Sequence, residues 1–308
     1  MKDLADTCRV AVVQSEPKIF DREACLQGAL DSIAQVSREH PSDLIVLPEL
    51  LIPGYPHGLT FGFVVGERRT GGMEDWKRYC DGSIVVGGPE TQALAQAARD
   101  ANAWVSIGVS ERDATSGTLY NTNLVFSPDG ELSAHHRKLK PTGAERLVWG
   151  DAQDRYFPVS QTPWGPMGTL ICWENYMPLA RVALYQKGIS LYLAPNTNGN
   201  PEWQATVEHI AIEGRCYVIN CAPYTERADY PHDLCWQHEV DALPDVVYRG
   251  GSSIVDPFGH NVVGPLWDQP GILYADLDMQ LVPAAKWEFD PVGHYARPDV
   301  LRLEVNDI

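Results

Sequence analysis

Short runs of apolar and β-branched residues recur along the chain, at Arg9–Val13, Leu44–Leu47, Trp104–Val109, Leu124–Phe126, Thr169–Ile171, Ser190–Leu193, Tyr217–Asn220, Ser253–Val255 and Ile272–Ala275. Most are bounded by Pro, Gly, Asn or Asp, which predicts strands. Between several of them the period lengthens. Arg22–Glu39 carries apolar residues at Ala24, Leu26, Leu30, Ile33 and Val36, the three-to-four spacing of an amphipathic helix. Glu90–Asn102, Pro178–Lys187 and Glu202–Arg215 follow the same rule. Strands alternating with helices predict an α/β protein. The last two strand segments, SSIVDPFGHNVVG and GILYADLD, have no helix between them and are expected to form a local antiparallel pair, making the sheet mixed.

No repeat, low-complexity tract or linker-like break interrupts this pattern, so residues 1–308 are expected to form a single domain. The formal charge of −17 comes from 41 acidic and 24 basic residues, and no basic stripe offsets it. Such a surface repels phosphate backbones, which argues against a nucleic-acid partner. The start, MKDLADTCRV, lacks an apolar signal core, and no stretch has the length of a membrane span, so neither export nor a membrane is expected. Seven cysteines at scattered spacings, without C-x-x-C, indicate no disulfide framework, and the nine histidines show no metal-binding spacing. The reading is a protein of the reducing cytoplasm without a metal.

Three segments carry possible chemistry. In GTLICWENYMP an apolar run delivers Cys172 to its end, and Pro178 opens a helix. A cysteine on such a turn is either a buried core residue or a nucleophile flanked by backbone amides. In DLIVLPELLIPGYP, Glu49 follows a strand. It is either a solvated loop carboxylate or a buried one able to act as a general base. In SAHHRKLKPTGAERLVWGDA, cations alternate with Leu139, Leu147 and Trp149. This is either a solvated loop or a half-buried wall in which Lys138 favours a thiolate and Glu145 holds Lys138. Cys216, Cys221 and Cys235 are rival thiols. Cys216 and Cys221 flank the core-like YVIN run, and His135, His136 and His209 lack the local signature of a Cys–His protease.

Taken in order, LPELLIPGYP, HHRKLKPTGAERLVWGD and LICWENYMP resemble the glutamate, lysine and cysteine segments of the nitrilase superfamily, the carbon–nitrogen hydrolases. FGFVVGERR, ALYQKGISLYLAP, EWQATVEHIAIEGRCYVIN, RGGSSIVDPFG and FDPVGHYARPDVL extend the resemblance to the true nitrilase branch, from Arg9 to about Val305. The resemblance implies a four-layer αββα sandwich of two mixed sheets, with Glu49 as general base, Lys138 as catalytic lysine, Cys172 as nucleophile and Glu145 as a supporting carboxylate. It implies an enzyme that hydrolyses a small organic nitrile to acid and ammonia without a cofactor. An amidase or carbamoyl hydrolase using the same residues is the alternative. A homodimer or larger homo-oligomer is also implied. Tyr55, His57, Trp173 and Asn196 are expected at the pocket. Two loops depart from the family's common wording: APNTNG at Ala194–Gly199, where many relatives read APTADG, and PTGAER, where many read PTHVER. The particular nitrile is therefore left open.

Overall fold

The computed structural model describes residues 5–152 and 157–306. Strand β1 (Thr7–Gln14) runs parallel to β2 (Leu44–Val46), and β2 runs parallel to β3 (Trp104–Arg112). Strands β4 (Leu119–Phe126) and β5 (Leu132–Arg137) continue this sheet antiparallel. A second sheet is built from β6 (Val159–Thr162), β7 (Gly165–Thr169), β8 (Leu191–Pro195), β9 (Tyr217–Cys221), β10 (Tyr224–Glu226), β11 (Val246–Val255) and β12 (Asn261–Trp267). Its central strands β7, β8 and β9 are parallel, and its outer pairings are antiparallel.

Alternation along each strand explains the layers, because successive side chains point to opposite faces. Val10 and Val12 of β1, with Leu44 and Val46 of β2, meet Leu191, Leu193, Ile219 and Cys221 of the second sheet in one cluster. The two sheets therefore pack face to face. Ala11, Val13 and Ile45 point the other way, onto α1 (Arg22–Glu39) and α2 (Pro89–Ala101). The outer face of the second sheet places Tyr192, Ala194 and Val218 against α3 (Pro178–Gln186) and α4 (Glu202–Gly214). Both faces of the parallel strands are covered, hence their continuous apolar wording. The result is the αββα sandwich.

One expected pairing fails. The SSIV strand forms its hairpin with the NVVGPLW segment, β11 with β12. GILYADLD, strand β13 (Gly271–Asp278), instead crosses to the first sheet and pairs antiparallel with β1. Tyr274 and Ile272 pack on the helix side of that sheet, and Leu277 enters the inter-sheet core, so β13 has two layers to bury against there. Proximity in sequence lost to burial. The HHR segment, read as a wall, contributes strand β5, whose Ala134 and His136 are buried.

Candidate active site

The carboxyl ends of strands from both sheets meet at one end of the sandwich, where open α/β sheets commonly place their ligands. Glu49 lies three residues beyond β2, Lys138 directly follows β5, and Cys172 lies three residues beyond β7. The Glu49 loop lies tightly on β3. A Cβ on Gly108 would stand 2.5 Å from the Glu49 Cα, so only glycine lets the two backbones approach this closely.

Lys138 has a fully buried side chain, and its Nζ donates at 2.9 Å to Oε1 of Glu49 and at 2.9 Å to Oε2 of Glu145. Burial disfavours its charge, but Glu49, Cys172 and Glu145 outweigh that, so its ammonium form is held above the ordinary lysine range. Asn121, near the start of β4, donates at 2.6 Å to the same Glu49 Oε1. Thr197 donates its hydroxyl at 3.0 Å to the other oxygen, Oε2. Glu145 also accepts from the Tyr55 hydroxyl at 2.9 Å and from the Thr142 backbone at 2.7 Å. Burial raises the Glu145 carboxyl, against the pull of Lys138.

Cys172 opens a 3₁₀ turn (Cys172–Tyr176) with φ of 49°, the left-handed region that β-substituted residues rarely enter. Such strain persists where the surroundings over-determine it and is common at functional turns. Here the fixing group is Glu174, which is buried and accepts from the Ile171 backbone at 2.6 Å, the Leu139 backbone at 2.6 Å and His136 Nε2 at 3.0 Å. Asn175 adds bonds to the carbonyls of Leu170 and Cys172. Burial first, then Glu49, pushes the Cys172 thiol above the ordinary range, while Lys138 pulls it down.

A cavity of about 400 Å³ opens onto this cluster, lined by Tyr55, His57, Glu145, Cys172, Trp173 and Thr197 among others. Tyr55, His57 and Trp173 are thus among the lining residues, and Asn196 is not. It is fully buried, its amide donating to Ala194 and Asn220 and its oxygen accepting from the Asn198 backbone, so it ties the loop while Thr197, Asn198, Gly199 and Asn200 face the cavity. Asn121, Thr197, Glu174 and Tyr248 escaped the sequence reading. Thr197 carried a usable signal, because it follows the apolar β8 run much as Glu49 follows β2.

A family model described as carbon–nitrogen hydrolase matches residues 9–286. The chain belongs to that family. Among its carbon–nitrogen hydrolase relatives, an aliphatic nitrilase of Sinorhizobium fredii (strain HH103) is 47% identical over 97% of this chain and 96% of its own length. Nitrilase 2 of Arabidopsis thaliana is 43% identical over 97% of this chain and 88% of its own. A bifunctional nitrilase/nitrile hydratase of Nicotiana tabacum is 41% identical over 98% of this chain and 86% of its own. The crystal structure of Saccharomyces cerevisiae Nit3, a member of branch 10 of the nitrilase superfamily, superposes with a TM-score of 0.75 at 22% identity, over 96% of this chain and 99% of that one. That likeness concerns the carbon–nitrogen hydrolase fold.

Among the described residues, no group of three or more His, Cys, Asp or Glu side chains is arranged to hold a metal ion, and no helix is long and apolar enough to cross a membrane. Cys216 and Cys221 are buried core thiols, and Cys221 Sγ lies 3.4 Å from the carbonyls of Val13 and Val46, between the sheets. Cys235 is exposed.

Proposed function

We propose that this enzyme hydrolyses a small organic nitrile to the carboxylic acid and ammonia, with Cys172 as nucleophile, Glu49 as general base, and Lys138 and Glu145 in support. The carrying observation is that relatives bearing nitrilase names match nearly the whole chain at 40–47% identity. The buried Glu49–Lys138–Glu145 cluster beside Cys172 supports the roles.

A nitrile carbon is a weak electrophile, so sulfur must attack while nitrogen gains a proton. Glu49 takes the Cys172 proton, the S–C bond forms, and the proton passes to nitrogen, giving a covalent thioimidate. Lys138 and the backbone amide at Trp173 stabilise the charge that develops on nitrogen. Water, deprotonated by Glu49, adds to the carbon. Ammonia then leaves to give a thioester, and a second water releases the acid and restores the thiol. Splitting the reaction through a covalent intermediate calls on no cofactor. If the tetrahedral intermediate expels sulfur before ammonia, amide is released instead.

A homo-oligomer in the cytoplasm completes the proposal. Leu179, Trp287 and Tyr295 are 66%, 91% and 63% exposed on the single chain, and an interface between copies that included them would bury their apolar surface. The test of activity is a panel of aliphatic and arylaliphatic nitriles with their matching amides, scored for ammonia, acid and amide. Acid and ammonia from a nitrile, faster than from its amide, is the expected result. Turnover of the amides alone would replace this reading with the amidase one.

A further inference from the structure

Thr197 binds one partner of the proposed proton transfer and lines the cavity with the other. Its hydroxyl donates at 3.0 Å to Oε2 of Glu49, whereas Lys138 and Asn121 both bind Oε1. Its backbone N–H acts to lower the Cys172 thiol, against the burial that raises it. Tyr248, whose hydroxyl stands 2.8 Å from His57 Nδ1, lines the same cavity as Thr197. Thr197 is only 7% exposed, in the APNTNG loop just beyond β8.

We propose that Thr197 is a positioning residue that aims Glu49 Oε2 at the Cys172 thiol and at the hydrolytic water. The inference rests on Glu49 being the base. With Oε1 held by an ammonium and an amide, Oε2 is the oxygen left to exchange protons, and one hydroxyl sets its direction. A hydroxyl can rotate its hydrogen away when Oε2 takes a proton and then accept from it, which neither Lys138 nor the Asn121 amide nitrogen can do. Lys138, Glu145, Cys172, Tyr55, Tyr79 and Tyr248 are ionisable groups that interact electrostatically with Glu49, and a change at Thr197 substitutes none of them.

The test compares Thr197→Val and Thr197→Ser by the pH dependence of kcat/KM and by separate kcat and KM. Valine keeps the shape and removes the donor. A hydrogen bond to a charged group is lost, so kcat is expected to fall about tenfold with KM near wild type. Because the hydroxyl favours the ionised carboxylate, the acid limb of the profile is expected to move to higher pH. Serine restores the donor and should restore both. Thr197→Ala makes the same comparison should the valine disturb the loop. An acid limb that stays in place in the valine and alanine variants, or a serine variant as impaired as valine, overturns the proposal. Glu49→Gln in the same assay separates the two readings. Full turnover there removes Glu49 as base, whereas an inactive Glu49→Gln beside an unmoved valine profile removes only the role of Thr197.

Discussion

Glu174 accepts a 2.6 Å hydrogen bond from the backbone amide of Leu139, the residue after Lys138. The same carboxylate closes the turn of Cys172 through the Ile171 amide, so one buried side chain holds a loop of each sheet in register with the other. Burial opposes ionisation of Glu174, but His136 and the two amides more than offset it and leave the carboxyl below its ordinary range.

Glu174→Gln is expected to be damaging although nearly isosteric. An amide nitrogen replaces one accepting oxygen, and a buried N–H loses its partner at a cost of about 1–3 kcal/mol. Urea unfolding should show a lower midpoint, and kcat should fall because the Cys172 turn and Lys138 lose their common anchor. A variant with wild-type midpoint and turnover would show that the link is dispensable.

The roles of Glu49, Lys138 and Glu145 separate by substitution. Glu49→Gln removes the base and Lys138→Met removes the charge, and each should lower kcat at least ~10²-fold. Glu145 holds Lys138, Tyr55 and the Thr142 amide, so Glu145→Gln keeps part of that bonding and should impair turnover less than Glu49→Gln. Equal loss in both glutamine variants, measured under matched conditions, would mean that Glu145 shares the proton transfer.

The thiols should divide sharply. Cys172→Ala is expected to abolish nitrile turnover with an unchanged circular dichroism spectrum. Cys221→Ala should keep turnover near wild type, because that sulfur is enclosed between the sheets and faces main-chain carbonyls. Mass spectrometry of the enzyme quenched with substrate should find the acyl adduct on Cys172. An adduct on Cys216 or Cys221 would overturn the assignment.

Acid stability should depend on Glu111, which is not among the cavity-lining residues. Burial raises its carboxyl, but His135 and then Arg137 outweigh this and bring it from 4.5 to about 2. A depressed folded-state value means stability that is fully present above about 4.5 and is lost as pH falls toward 2. The difference corresponds to roughly 3 kcal/mol. Glu111→Gln should therefore lower the denaturation midpoint at neutral pH and flatten its decline below pH ~4.5. A parallel decline in both proteins would assign acid unfolding to other carboxylates.

Much of the fold was legible because its elements are local. The 3.6-residue period of Arg22–Glu39 and the apolar wording of β1, β2, β8 and β9 need nothing beyond neighbours in sequence. The destination of GILYADLD was not legible. Its alternation suits either sheet, and only the face left open beside β1 selected between them. Asn196 was misplaced for a related reason. A polar loop residue after a strand reads as pocket lining, yet its amide found three acceptors inside the loop and core.

By itself the sequence determined the α/β alternation, the family, and the residue types able to carry acid–base and nucleophilic chemistry, since short motifs and periodicity are properties of adjacent residues. The tertiary structure alone decided what those residues face. Lys138 meets Glu49 across 89 positions, Thr197 meets Glu49 across 148, and Glu174 meets Leu139 across 35. Contacts at such separations follow from how two sheets stack and which strand ends they bring together, a consequence of burying both faces of each sheet at once rather than of any local pattern.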